Sequence, residues 1–228
     1  MQRVSKIKGE IPVLLVSPHY EEENINFITE LIAKEMSAFA VINRGWKKNK
    51  IFNYSKDLAN CNNTSHIKNE VINEEFLEPI LRFISYIKNN IDDKILFLNI
   101  HGCSNEIRKK TKAHDLDILL SYGGVYSYCC ELRIKDAFAY FLENDSLSVY
   151  EGKDKVYSAQ FRDHLSQIFR NYYPDKNINS IQIKIIEELR SDLEISEIFA
   201  QSLIGAIDDL LVFNDSTSSI KRKSKFIN

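Results

Sequence analysis

Two histidines and a glutamate stand where they can do metal chemistry. The apolar run from Ile11 to Val16 leads through Ser17 and Pro18 to His19, and Glu22 follows three residues on. Imidazole nitrogen and carboxylate oxygen both ligate zinc, and a catalytic zinc takes three protein ligands and leaves one position open for water. A second apolar run, Lys94 to Ile100, ends in the same manner at His101-Gly102. Ligands of α/β sheets gather at the carboxyl ends of strands, so the second histidine is a candidate for the third donor that the first pair lacks. Each residue also has a plain structural reading. A strand-end histidine can simply bond a neighbouring loop. Glu21, Glu22 and Glu23 form an acidic run of the kind that complements the positive end of a helix dipole, which leaves open which of them is a ligand.

The elements that must position these residues alternate between strand and helix. After the strand ending at His19, Glu23 to Met36 carries Phe27, Ile28, Leu31 and Ile32 at helical spacing, and Ala38 to Ile42 reads as the next strand, ending at Asn43-Arg44-Gly45-Trp46. Strand, helix, strand in this order predicts a parallel pair. Residues 47–69 are polar and without period, a long excursion of the kind that is functional or disordered. Helical spacing returns over Glu70 to Asn90, before the strand ending at His101. Further expectations are a strand at Asp117–Ser121 running into Tyr122-Gly123-Gly124, a helix at Tyr128–Leu142, a strand at Leu147–Tyr150, a helix at Ser158–Tyr172, a strand at Ile181–Ile186 and a helix at Ser191–Phe213. The Gly pair is no phosphate cradle, because neither GxxxxGK[ST] nor GxGxxG is present. Residues 1–213 read as a single α/β domain, and 214–228 as a polar, then basic, tail.

Composition narrows the classes. The chain has 228 residues, 44% hydrophobic and 27% charged, with a formal net charge of -2, which offers no global positive field to nucleic acid. No apolar stretch reaches the roughly 20 residues needed to cross a bilayer, and Met1 to Lys8 opens no signal-type core; no membrane association and a cytoplasmic location are the expectation. Cys61, Cys103, Cys129 and Cys130 show no CxxC spacing and read as reduced thiols. Cys103 is notable for lying two residues after His101. His66 and His114 in polar loops and His164 on a helix are expected at the surface.

Several segments together resemble the N-formylglutamate amidohydrolase family and its zinc carboxypeptidase-like relatives: Pro18-His19, Asn43-Arg44, the run Asp57 to Asn62, His101-Gly102, and the strand Ile181-Gln182-Ile183. The resemblance spans Pro12 to Leu211 and draws its specificity from the order of short motifs. It implies a three-layer fold, a mixed and mostly parallel sheet flanked by helices (phosphorylase/hydrolase-like), with zinc at the strand ends. Carried over by position, His19, Glu22 and His101 would hold zinc, Arg44 would face a substrate carboxylate or carbonyl oxygen, and Asn43 and Asn60 would bond substrate amide oxygens or cap their own loops. The implied activity is cleavage of an amide bond in a small acidic substrate, an N-acyl glutamate or glutamyl peptide. One departure stands out: the position that matches the family's general-base glutamate is Lys184. Glu187 or Glu188 just beyond the strand can supply the base if the chain turns first, Glu187 being the choice; otherwise the register differs, or the protein keeps the fold as a non-catalytic binder.

Overall fold

Strands covered on both faces read as unbroken apolar runs, and Val13 to Ser17 and Phe39 to Asn43 are buried at every position. The computed structural model describes residues 3–46, 70–124, 127–152, 157–162, 164–172 and 177–224, of which 171–172 and 215–224 are described as backbone. Strands β1 (Val4–Ile7), β2 (Val13–Ser17), β3 (Phe39–Asn43), β4 (Ile95–Gly102), β5 (Ile118–Ser121), β6 (Val149–Glu151) and β7 (Ile178–Ile185) form one sheet in the order β1-β3-β2-β4-β7-β5-β6. The central strands β3, β2, β4 and β7 are parallel, as are β5 and β6, while β1 runs antiparallel to β3 and β5 antiparallel to β7.

Period-two alternation sorts the strand residues between two helical layers. Val13 and Leu15 of β2, Leu98 and Ile100 of β4 and Ile181, Ile183 and Ile185 of β7 share one core with α1 (Ile25–Glu35), α5 (Leu132–Asn144) and α7 (Leu193–Ser224). Leu14, Val16 and Phe97 share the other with α3 (Glu78–Asn90) and α6 (Leu165–Tyr172). The same alternation puts Asn99 and His101 of β4, and Ser180, Gln182 and Lys184 of β7, on this second face. Polar and ionisable side chains thus lie together on one side of the sheet, next to an apolar core.

Several elements differ from expectation. The helix read over Glu70 to Asn90 is three pieces: α2 (Glu70–Ile72), a π-turn at Asn73–Leu77, and α3. Pro79, in the first turn of α3, has no N–H for a regular i−4 bond. α6 begins only at Leu165, because Ala159 takes a left-handed φ of 56° and the Ser158 carbonyl is spent accepting the Gly123 N–H. α7 continues past Phe213 to Ser224; no Gly or Pro follows to stop it, and each added residue adds a hydrogen bond. β1 and a short helix α4 (Glu106–Thr111) carry no period long enough to read. Among the described residues no helix is long and apolar enough to cross a membrane.

Candidate metal centre

The parallel strands β2, β4 and β7 all end at one edge of the sheet, and the candidate residues lie at those ends: His19 and Glu22 in the loop after β2, His101 near the end of β4, and Gln182 and Lys184 near the end of β7. β2 gives way to Pro18-His19, and a tight loop brings Glu22 back before α1 starts. A chain of amides fixes this corner. Ser17 Oγ donates to Asn26 Oδ1 (2.7 Å), Asn26 Nδ2 to the Asn43 carbonyl (2.8 Å), and Asn43 Nδ2 to the Pro18 carbonyl (2.8 Å). Asn43 Oδ1 accepts from the N–H groups of Gly45 (3.1 Å) and Trp46 (2.9 Å). Fully buried and with both ends of its amide used, Asn43 holds the residue before His19 in place and is not turned to a ligand.

His19, Glu22 and His101 converge. One donor atom from each lies within 4.8 Å of the others, and the two imidazole centroids are 4.9 Å apart. Glu22 Oε2 accepts the Gly102 N–H at 2.8 Å, and Oε1 lies 3.8 Å from His101 Nδ1. His101 Nε2 is 3.1 Å from Asn99 Oδ1. An amide oxygen can only accept, so Nε2 carries the proton and Nδ1 offers its lone pair toward Glu22 and His19. Holding the far ring nitrogen in this way is what orients a histidine ligand. Burial, helped by the positive charge of Lys184, keeps the His101 pKa well below the usual imidazole value, so the ring is neutral. Burial also raises the Glu22 pKa, opposed by His19, the Gly102 N–H, Arg190 and Lys184. These donors fit zinc in type and number. Ligands about 2.0–2.2 Å from a tetrahedral centre sit roughly 3.4 Å apart, so the cluster is slightly open.

The donors line one side of a cleft of about 290 Å³. The cleft is also lined by Gln182 and Lys184 of β7, by Tyr157 and, from α4, by Ile107 and Lys110. Lys184 is the direct register partner of His101. Burial lowers its pKa, opposed by Cys103 and Glu22, and its Nζ lies 5.4 Å from the Tyr157 ring centroid. Cys103 lines the same cleft, and burial pushes its thiol up to about 11, so without a metal it is a neutral thiol at neutral pH.

Beneath the cleft lies a residue with no signal in the sequence. Arg190, 6% exposed, donates to three backbone carbonyls: Ile185 at the end of β7 (Nε, 3.3 Å), Glu23 (Nη1, 3.1 Å) and Cys103 (Nη2, 3.2 Å). Its own carbonyl accepts from Asn24 Nδ2 at 2.8 Å. A Cβ on Gly102 would lie 2.8 Å from the Arg190 guanidinium carbon, which is why the histidine must be followed by glycine. Asn99 was equally silent, apart from being a polar residue inside an apolar run.

Of the residues expected to act, the structure brings together His19, Glu22, His101 and Lys184. Arg44 is turned away: its guanidinium pairs with Glu30 and bonds Ser5 Oγ at 3.1 Å, and it does not line the cleft. The reason lies in α1, whose Glu30 faces the end of β3. Glu187 is exposed beyond the end of β7, leading into a 3₁₀ turn at Glu188–Arg190, and it too lies outside the cleft. Asn60, with the run Asp57 to Asn62, and His66 lie outside the described residues. His114 is exposed, and His164 accepts the Ser166 N–H at the start of α6 (3.2 Å).

Solved structures share this architecture. An N-formylglutamate amidohydrolase from Ralstonia eutropha JMP134 superposes with a TM-score of 0.61 at 12% identity, over 93% of this chain and 97% of its own. A bacteriophage poly-gamma-glutamate hydrolase gives 0.58 at 10% identity, over 92% and 89%. A metallo-carboxypeptidase from Pseudomonas aeruginosa, in complex with (2-guanidinoethylmercapto)succinic acid, gives 0.52 at 12% identity, over 91% of this chain and 61% of its own. No protein-family model and no curated sequence matches the chain. The fold is the zinc carboxypeptidase-like fold. Its structural neighbours include N-formylglutamate amidohydrolase, the family that the strand-end motifs resemble.

Proposed function

We propose that this chain binds zinc through His19, Glu22 and His101 and hydrolyses an amide bond of a small acidic substrate, of the N-acyl glutamate or glutamyl peptide class. The convergence of these three donors at the ends of β2 and β4 carries the proposal. When bound, zinc polarises a carbonyl and brings the pKa of its water toward about 7. Asn99 keeps the His101 lone pair available, and the Gly102 N–H steadies the Glu22 carboxylate. The acidic substrate class draws support from the charge of the cleft, which Lys184 and Lys110 line together with the donors, and from neighbours that include a poly-gamma-glutamate hydrolase. The test is elemental analysis of the purified protein, followed by an N-acyl glutamate panel assayed before and after chelation. Zinc near one equivalent and chelator-sensitive release of glutamate are expected; protein that takes up no zinc refutes the metal, and zinc-loaded protein without turnover refutes the catalysis.

One observation favours a second reading, a non-catalytic binding protein of the same fold. Among the described residues lining the cleft, Glu22 is the only carboxylate, so a ligand would have to double as proton acceptor. Lys184 stands where the resemblance calls for the base, and a charged lysine cannot take a proton. Zinc-loaded protein that binds acyl glutamates and leaves them intact is the outcome that selects this reading.

A further inference from the structure

β7 presents two polar side chains to the cleft that the protein itself leaves unpaired. The Lys184 ammonium forms no hydrogen bond and no ion pair with the described residues. The Tyr157 face at 5.4 Å attracts the charge but accepts none of its three N–H donors. Gln182, two residues earlier on the same face, is 3% exposed and lines the same cleft, and its amide has no hydrogen-bond partner among the described residues. Opposite Gln182 in the register of β5 is Ser121, fully buried, with its Oγ also unpartnered. Native proteins pair buried polar groups, and a buried charge above all. A cation and an amide left open side by side, at the wall of a cavity, describe half of an interaction whose other half is a ligand.

We propose that Lys184 and Gln182 form a carboxylate-binding subsite, which takes an acidic group of the ligand on the β7 part of the cleft, next to His19, Glu22 and His101. A carboxylate has two oxygens, one to pair with the Lys184 ammonium and one to accept from the Gln182 amide. Lys110, 62% exposed and 3.7 Å from Glu106, stands at the rim and adds positive potential without being committed to the pocket. The subsite takes over the anchoring expected of Arg44, whose guanidinium is held by Glu30. Side chains at i and i+2 of a strand are roughly 7 Å apart, so the two groups are spaced for one carboxylate lying between them. The inference rests on the acidic-ligand part of the proposed function and on neither its zinc nor its hydrolysis.

The experiment uses the full chain stripped of metal by chelation, with calorimetric titration of succinate, succinamide and inorganic phosphate. Succinate is expected to bind, with succinamide at least tenfold weaker. Lys184→Met should lower succinate affinity more than tenfold, Gln182→Leu by three- to tenfold, and Lys184→Arg should retain most of it. Replacing a partly buried, unpaired ammonium by an apolar side chain removes a desolvation cost, so Lys184→Met is expected to fold, and Gln182→Leu tests the same subsite with the lysine intact. Equal succinate binding by wild type and Lys184→Met overturns the proposal, as does succinamide binding as well as succinate, or phosphate displacing succinate at lower concentration. Metal-free protein that binds succinate but never acquires zinc keeps the subsite and removes the zinc reading. Protein that acquires zinc but ignores succinate does the reverse.

Discussion

His101 and Lys184 sit side by side at the ends of neighbouring parallel strands in one cleft, the histidine buried and the lysine partly so, yet their surroundings prepare them for opposite partners. The β4 end is finished: the His101 ring is neutral, its far nitrogen is taken by Asn99, and its lone pair faces Glu22 and His19. The β7 end is open, with a lysine and an amide that have no partner in the described protein. On the proposed reading, one half of the cleft takes a cation and the other an anion. A ligand that satisfies both carries a carboxylate at one end and a group able to meet a metal, such as an amide carbonyl, at the other. The contrast also explains how a lysine is tolerated so near the donors, because an anion between the two halves screens one charge from the other.

His101→Ala should have the largest effect on this contrast, since it empties the finished half. Zinc uptake should fall from near one equivalent to background by elemental analysis, while succinate binding to metal-free protein stays within about threefold of wild type. Loss of both together would mean that the two halves are one unit. Lys184→Glu comes next, because it makes the open half resemble the finished one. Removing a cation and adding an anion beside the donors should raise zinc affinity by about tenfold or more, on the order of 1.4 kcal/mol, and give N-acyl glutamate hydrolysis a proton acceptor. An unchanged or weaker zinc affinity would show that position 184 does not sense the metal site.

Asn99→Leu tests the ring orientation more gently. Losing the group that holds a histidine ligand usually costs 10–100-fold in metal affinity, and competition with a chromophoric chelator would detect it; an unchanged affinity would leave Asn99 a merely structural amide. Smallest is Arg44→Ala. Its pair with Glu30 is about one-third exposed, and such pairs contribute about 0–1 kcal/mol. Urea unfolding should shift by no more than that, with zinc and succinate binding intact. A tenfold loss of succinate affinity in this variant would return Arg44 to the site.

What was legible in the chain follows from range. Period-two and period-3.6 patterns are local, and they gave β2, α1, β3, β4 and the parity that puts Gln182 and Lys184 on one face. The strand-end histidines were legible because an apolar run that stops is itself a local signal. Arg44 was misleading for a non-local reason, its partner Glu30 lying on a helix whose rotation no motif reports. Glu187 depended on how the chain turns after Ile185, and the 3₁₀ turn leaves it in solvent. Arg190 was invisible because its partners are backbone carbonyls, two of them in loops 87 and 167 residues away, and a carbonyl has no sequence. Asn43 was read for its side-chain chemistry, which the Pro18 and Trp46 backbones consume.

The Arg190 junction also sets an order of assembly. It joins Glu23 to a residue 167 positions later and Cys103 to one 87 positions later, and such long-range closures come late because their chain entropy must be met first. During synthesis both histidines and Glu22 leave the ribosome well before the arginine that locks their loops. A nascent chain ending short of residue 190 therefore carries His19, Glu22 and His101, the donors of the proposed zinc site, and still lacks the arginine that ties their loops together.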